Sequence, residues 1–479
     1  MNERHRLARS PRECGLQQKA GWAGWGVSRI FTDAVALPLA RRTIPTRMND
    51  TTLPAPAPTG PPKSAMFIVF LVVFIDLLGF GIVLPIMPRL ADEYMTGYSK
   101  ELRGVIIGTL FSSFSVMQFL LSPMWGRMSD RIGRRPILIL GLLGSIIFYT
   151  LFAFAVSLPK ESSVLALCLM LISRIGAGAA GATIGTAAAV IADCTTPEKR
   201  AKGMALIGAA FGIGFTFGPL IAYFGLELFE KQQWGVGAIA ASLSLVATVL
   251  AVLLLPETRK PSGHIQEKEP FSMKRTLNVI KSPLIGPLIV IYFLAIFGFA
   301  NFEATLAQFT KAAFNMDDRG NFLVFAFVGF VLMVAQGGLY RPLVGRWKEE
   351  RMMSIGVALM LLGLGALGVV AYGTSHLFQG LAAAVEPMFY IALAIAVTGF
   401  AFVNPSITSL VSQRADPNRQ GEILGVSQSA SSLGRILGPF VGSVVFQMHD
   451  SHTLPYVVAG LALVGVIMLL PVVSRNSGS

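Results

Sequence analysis

The sequence predicts an all-α polytopic membrane protein, with twelve transmembrane helices in two pseudo-symmetric six-helix bundles. Three observations carry that expectation. Of 479 residues, 53% are hydrophobic and only 14% charged, with a mean hydropathy of +0.63, outside the range of soluble domains. The apolar residues come in runs of about twenty, the length a helix needs to cross roughly 30 Å of hydrocarbon. Finally, Gly214-Phe-Thr-Phe-Gly218-Pro219 in the fifth run recurs in the eleventh as Gly434-Arg-Ile-Leu-Gly438-Pro439. Pro197 and Pro417 stand seventeen residues before each first glycine, giving the same offset of 220. Such a repeat implies a duplicated bundle.

In chain order, residues 1–64 form a basic tail with ten Lys/Arg and four Asp/Glu. Its longest apolar stretch, Ala34 to Ala40, is broken by Pro38 and is too short for a signal-peptide core. Two readings stay open for residues 1–47: a cytoplasmic tail that is disordered or surface-lying, or a stretch ahead of a start at Met48. Residues 51–63 form a Pro-rich linker. Twelve spans are expected near 65–88, 104–125, 137–157, 164–192, 203–225, 235–255, 284–306, 322–340, 354–373, 387–411, 422–446 and 455–473. The N-terminal bundle is thus 65–256, the inter-bundle loop 257–283, the C-terminal bundle 284–473 and the tail 474–479.

Between spans two and three lies GRMSDRIGRRP, Gly126 to Pro136, which sets Asp130 among Arg131, Arg134 and Arg135. Too polar to cross a bilayer and too short for a domain, it reads as a tight loop eased by Gly126 and Gly133. A degraded echo, Arg341 to Arg351, follows span eight. With the N-terminus inside, the inner loops and C-terminal tail hold twenty Lys/Arg and the outer loops seven. That asymmetry places both termini in the cytoplasm. The formal charge of +13 therefore belongs to tail and loops, and no nucleic-acid partner follows. Cys14, Cys168 and Cys194 give neither a disulfide scaffold nor a metal set.

Charges within spans are costly and mark cavities or partners. Asp76 in span one and Arg174 in span four fall at similar depth and are expected to line a cavity in the N-terminal half. Asp76 is the better proton site, since a carboxylate responds to wet and dry surroundings while arginine keeps its proton. The alternative is a structural ion pair. Glu303, nearer the outer end of span seven, is a second carboxylate that either accepts a proton or a cationic group or sits near the headgroups. Arg435 in span eleven could hold an anionic group or pair with Glu303. Gln118, Asn301, Gln336 and Asn404 are candidate solute contacts, or bonds between helices. Gly176, Gly178 and Gly181 spell GxGxxG, but inside an apolar helix with no strand before it, so they serve close packing rather than a nucleotide. No Gly-x4-Gly-Lys-Ser/Thr loop supplies ATP chemistry, and no reactive cluster suggests an enzyme. Gly214, Gly218 and Pro219, with Gly434, Gly438 and Pro439, are expected to make close, kinked helices where the two halves meet.

From Ala65 to Val473 the chain resembles the major facilitator superfamily, and more narrowly its twelve-span drug:proton antiporters of the tetracycline-efflux-like group. Gly126 to Pro136 resembles the superfamily's signature loop, Ser173 to Ala182 the arginine motif of span four, and Gly212 to Ala222 the antiporter motif of span five. Ile75 to Pro85 is similar to the acidic first span of the efflux group, and the stretch ending at Arg200 to its span-four exit. The resemblance implies that Asp130 sits against the cytoplasmic end of span eleven, and that Arg134 bridges to Asp193 or Glu198. That network would hold the outward-open state. It also implies proton coupling through Arg174 and transport through Asp76. One departure is that Ser354 to Gly373 of span nine holds no acidic residue, where tetracycline exporters carry one, so export is implied but tetracycline is not.

The expected function is proton-coupled efflux of a small amphipathic solute by alternating access, in a bacterial inner membrane. Energy comes from a proton gradient, with no cofactor or metal, and the protein works as a monomer. The rivals are proton-coupled uptake of a metabolite and a non-transporting receptor or scaffold.

Overall fold

In the computed structural model, residues 63–195, 197–259, 273–376, 382–416, 420–448 and 452–475 are described. The basic tail, the Pro-rich linker, most of the inter-bundle loop and the last residues lie outside them. All twelve spans are present as helices, and eleven are long and apolar enough to cross a membrane. The twelfth, span five (Pro197–Leu228), has its described apolar part over Gly212–Leu228.

Several spans depart from a single straight helix. Span one is Lys63–Val83 followed by Met87–Glu93. Pro85 and Pro88 sit at the break, where a missing N–H cannot continue the ladder. Span two runs Lys100–Ile132 and span three Arg134–Ser157. The expected loop at Gly126 to Pro136 is therefore almost entirely helix. Gly126 is interior, and only Gly133 interrupts, at φ 117°, a conformation that favours glycine. Helical hydrogen bonding continues past the apolar run, so polarity marked the membrane edge and not the helix end.

Span four is Ser163–Ala180 and Ile184–Asp193, joined by a 3₁₀ turn at Gly181–Thr183. Span six is Trp234–Leu254, span seven Gly286–Phe314, span nine Glu349–His376, span ten Ala382–Arg414, span eleven Gln420–Met448 and span twelve Leu454–Arg475. Span eight begins as Asp318–Val334 and loosens into a π-helical segment, Ala335–Tyr340, before Arg341–Leu343.

The end carrying Gly133 is the basic face, and the end where spans two and eight begin is the opposite face. The halves repeat in their packing. Gly214 and Gly218 lie on Leu77 and Gly81 of span one, while Gly434 and Gly438 lie on Phe293 and Phe297 of span seven. These glycines thus seat helices within each half, which corrects the expectation that they meet between halves. The seams between halves use other faces. Gly104 and Gly108 of span two approach Val444 and Phe440 of span eleven, and Gly329 of span eight approaches Phe215 and Thr216 of span five. Ser112 Oγ donates to the Ile436 carbonyl at 2.6 Å. Small residues let backbones come this close. Burial along span two ends at Phe114, with Ser129 the one buried residue beyond it, so the halves meet toward the opposite face and part toward the basic face.

Candidate transport site and basic-face network

Arg174 is buried at 1% exposure in span four. Its guanidinium carbon stands 4.6 Å from the Phe114 ring centroid, a cation–π arrangement that recovers part of its desolvation cost. Gly178, one turn on, leaves room for the Phe114 backbone, and Gly176 for the Phe148 ring. The GxGxxG letters therefore serve packing, as the apolar context implied. Tyr149 of span three is buried and lies over Gly79 of span one, 2.7 Å from where a Cβ would be. The Asp76 backbone belongs to span one, but its side chain lies outside the described residues.

In the other half, Glu303 of span seven and Arg435 of span eleven are both half-buried. Arg435 Nη2 donates to Ser431 Oγ at 3.2 Å. The neutral candidates divide. Gln118 Nε2 donates to the Gly181 carbonyl at 3.2 Å, satisfying the 3₁₀ turn of span four. Asn404 Oδ1 accepts from Tyr292 Oη at 3.0 Å, beside the stacked rings of Phe299 and Phe400. Asn301 is fully buried, with its Oδ1 against Gly442 of span eleven. It belongs to a helix crossing and not to a solute cavity, because its side chain fills the space that Gly442 leaves. Gln336 is half-buried in the π-helical segment of span eight.

At the basic face, Arg134 gathers three partners. Asp130 Oδ1 is 2.5 Å from its Nη1, Asp193 Oδ2 is 3.2 Å from its Nε, and Ser129 Oγ accepts from Nη1 at 2.6 Å. Of the two expected bridges, Asp193 is therefore the one described. The side chains of Glu198 and Arg200, and the residues leading into span eleven that Asp130 was expected to face, lie outside the described residues. These described contacts of Arg134 tie together spans two, three and four within the N-terminal half.

Sequence reasoning missed Glu257 and Arg259, which follow span six. Glu257 accepts from the backbone N–H groups of Arg134 and Arg135, at 2.9 and 3.2 Å, and so caps the start of span three. Burial alone would push its carboxyl up. The backbone donors of Arg259, Arg134, Arg135 and Thr258 outweigh it and hold the group below the ordinary glutamate range. Arg259 donates to the Asp130 carbonyl at 3.3 Å and to that of Arg131, at the end of span two. Arg135 Nη2 reaches the Val252 carbonyl at 2.6 Å. An acid and a base two residues apart after an apolar run were the available signal, but in sequence they merge with a polar linker.

The C-terminal half repeats this plan with charges exchanged. Glu350, at the start of span nine, pairs with Arg414, at the end of span ten, at 2.9 Å. Arg414 also donates to the Val473 carbonyl at the end of span twelve, at 3.2 Å. Arg134 and Asp193 hold the equivalent helix ends in the first half.

Comparisons with known proteins agree with this architecture. The sequence profile of the Major Facilitator Superfamily matches residues 69–439 and 368–478. Human Major facilitator superfamily domain-containing protein 10 is 26% identical, covering 85% of this chain and 93% of that protein. Its crystal structure, described as that of an organic anion transporter, compares at a TM-score of 0.60 over 85% of this chain and 99% of that one. The class E tetracycline resistance protein of Escherichia coli is 28% identical over 80% of this chain and 87% of that protein. The crystal structure of a D-xylose-proton symporter is 17% identical, with a TM-score of 0.70 over 87% of this chain and 99% of that one.

Proposed function

The chain belongs to the major facilitator superfamily and is a multi-pass membrane transporter, and on that premise we propose that it exports a small amphipathic solute in exchange for protons. Supporting this reading is a buried cation, Arg174, packed by Phe114 of span two, in the same half as the span that carries Asp76. In this scheme, protonation of a carboxylate in a half that also holds a fixed positive charge changes the charge of the cavity wall, and with it the preferred side of access. Glu303 and Arg435, each half-buried, are the charged groups offered by spans seven and eleven of the other half.

The basic face is assigned to the cytoplasm, with both termini there, in a bacterial inner membrane. The halves rock about the cavity without covalent chemistry or ATP. A proton gradient drives the cycle, and a membrane potential adds about 2.3 kcal/mol per 100 mV for each net charge moved. A single copy of the chain is sufficient in this scheme. Similarity to the class E tetracycline resistance protein supports export. The symporter neighbour supports a second reading, uptake with protons.

Proteoliposomes with an imposed pH gradient decide between them. Export moves solute and protons in opposite directions, and uptake moves them together. In the export scheme Asp76→Asn abolishes solute-dependent proton flux while solute binding persists. Coupled flux at full rate with unchanged pH dependence in that variant removes Asp76 as the proton site.

A further inference from the structure

The opposite face is closed by more than its small-residue seams. Asp317 caps the start of span eight, its Oδ1 accepting from Gly320 N at 2.8 Å. In the turn it fixes, three of four consecutive residues reach different parts of the N-terminal half. Asp318 Oδ1 stands 2.9 Å from Arg89 Nη1, in the second piece of span one. Asp318 Oδ2 accepts from Gln233 Nε2 at 3.3 Å at the entry to span six, and the same amide donates to Glu93 at 3.2 Å. Arg319 pairs with Glu227 at the end of span five.

Asn321, at 1% exposure, donates from Nδ2 to the Pro85 carbonyl at 2.7 Å, and its Oδ1 accepts from Thr310 Oγ1 at 3.2 Å. Two features produce this convergence. Successive residues of a helix turn by about 100°, so one helical turn presents side chains to several neighbours. The proline-bearing break of span one interrupts the helical ladder near Pro85, and its carbonyl accepts from Asn321 instead of a helical N–H.

We infer that the first turn of span eight is the latch that holds the transporter shut on the opposite face. Arg89, Asp318, Arg319 and Asn321 are positioning residues in this role, setting the balance of the two access states without touching solute. The latch joins the halves at the ends of their helices, so its contacts separate together when that face opens. Its ion pairs are partly exposed, and each charge is hydrated as the pair parts, which keeps the cost of opening moderate. Asn321 is the member buried in the closed form, and its loss leaves the Pro85 carbonyl without that donor.

The test measures the opening directly. Cys14, Cys168 and Cys194 are replaced by serine, and spin labels are placed at Glu161→Cys and Ala312→Cys. These positions are exposed on the opposite face, one in each half. Distances are recorded by electron–electron resonance on the purified full chain in lipid nanodiscs, without solute or gradient. The parent gives mainly the short distance. Arg89→Glu raises the long-distance population about tenfold, equivalent to about 1.4 kcal/mol, and the reversed pair Arg89→Asp with Asp318→Arg restores the short distance. Asn321→Ala shifts the population in the same direction by a separate contact, and it alone decides if Arg89→Glu does not fold. Unchanged distances in the foldable variants, or a shift that the reversed pair leaves in place, overturns the latch. No proton or solute flux is measured, so failure of the export scheme would leave this result standing.

Discussion

Glu257 and Arg259 stand two residues apart and serve opposite helix ends. The carboxylate meets the positive end of span three, and the guanidinium meets the negative end of span two. Each charge complements the helix dipole and satisfies groups a helix leaves unbonded at its terminus. Replacing Glu257 with glutamine is expected to cost about 1 kcal/mol, near the low end because the carboxylate is exposed and screened. Its pKa is depressed in the folded protein, so its stabilisation is complete above the unfolded value of about 4.3 and disappears as pH falls through the lower folded value. Thermal unfolding in detergent should therefore separate Glu257→Gln from the parent at pH 7, and the two curves should converge in strong acid. A gap that persists at low pH would show that the effect is not electrostatic.

At the scale of the element, the same residue type has different duties along one helix. A Cβ at Gly438 would stand 2.7 Å from the Phe297 carbonyl, a backbone atom that cannot step aside, whereas nothing lies within 4 Å at Gly425. Gly438→Ala is expected to destabilise by about 1–3 kcal/mol through overpacking against span seven. Gly425→Ala should be neutral or slightly stabilising, since alanine is the better helix former. Melting temperatures of the two variants in one detergent test this contrast, and equal losses would refute the assigned packing. Gly108 resembles Gly438 in its contacts, but it lies on the seam between halves, with the Phe440 Cα at 2.9 Å from a Cβ. Span two thus uses glycine for closure, and spans one, five and eleven for cohesion within a half.

Across the whole molecule, duplication preserved the places that need tying and not the signs of the charges that tie them. Arg134 with Asp193, and Glu350 with Arg414, hold corresponding helix ends in the two halves. Arg414 is the more buried partner of its pair, at 9% exposure, so Arg414→Glu alone is expected to cost about 3 kcal/mol by setting two acids together. Adding Glu350→Arg should recover more than half of the loss, read as the coupling energy of a double-mutant cycle in thermal unfolding. Additive losses would show that the pair contributes no stabilising attraction. The sequence by itself determined the twelve spans, the two-bundle repeat and the intramembrane charges Arg174, Glu303 and Arg435. Hydrocarbon thickness writes the first into run length, duplication writes the second into matched glycines, and desolvation makes each charge conspicuous. Tertiary structure alone decided that Asn301 serves a helix crossing, that the repeated glycines face inward within each half, and that Glu257 and the first turn of span eight bind distant helix ends. Those outcomes depend on the rotation of each helix about its axis and on contacts between residues far apart in the chain, and hydropathy reports depth alone.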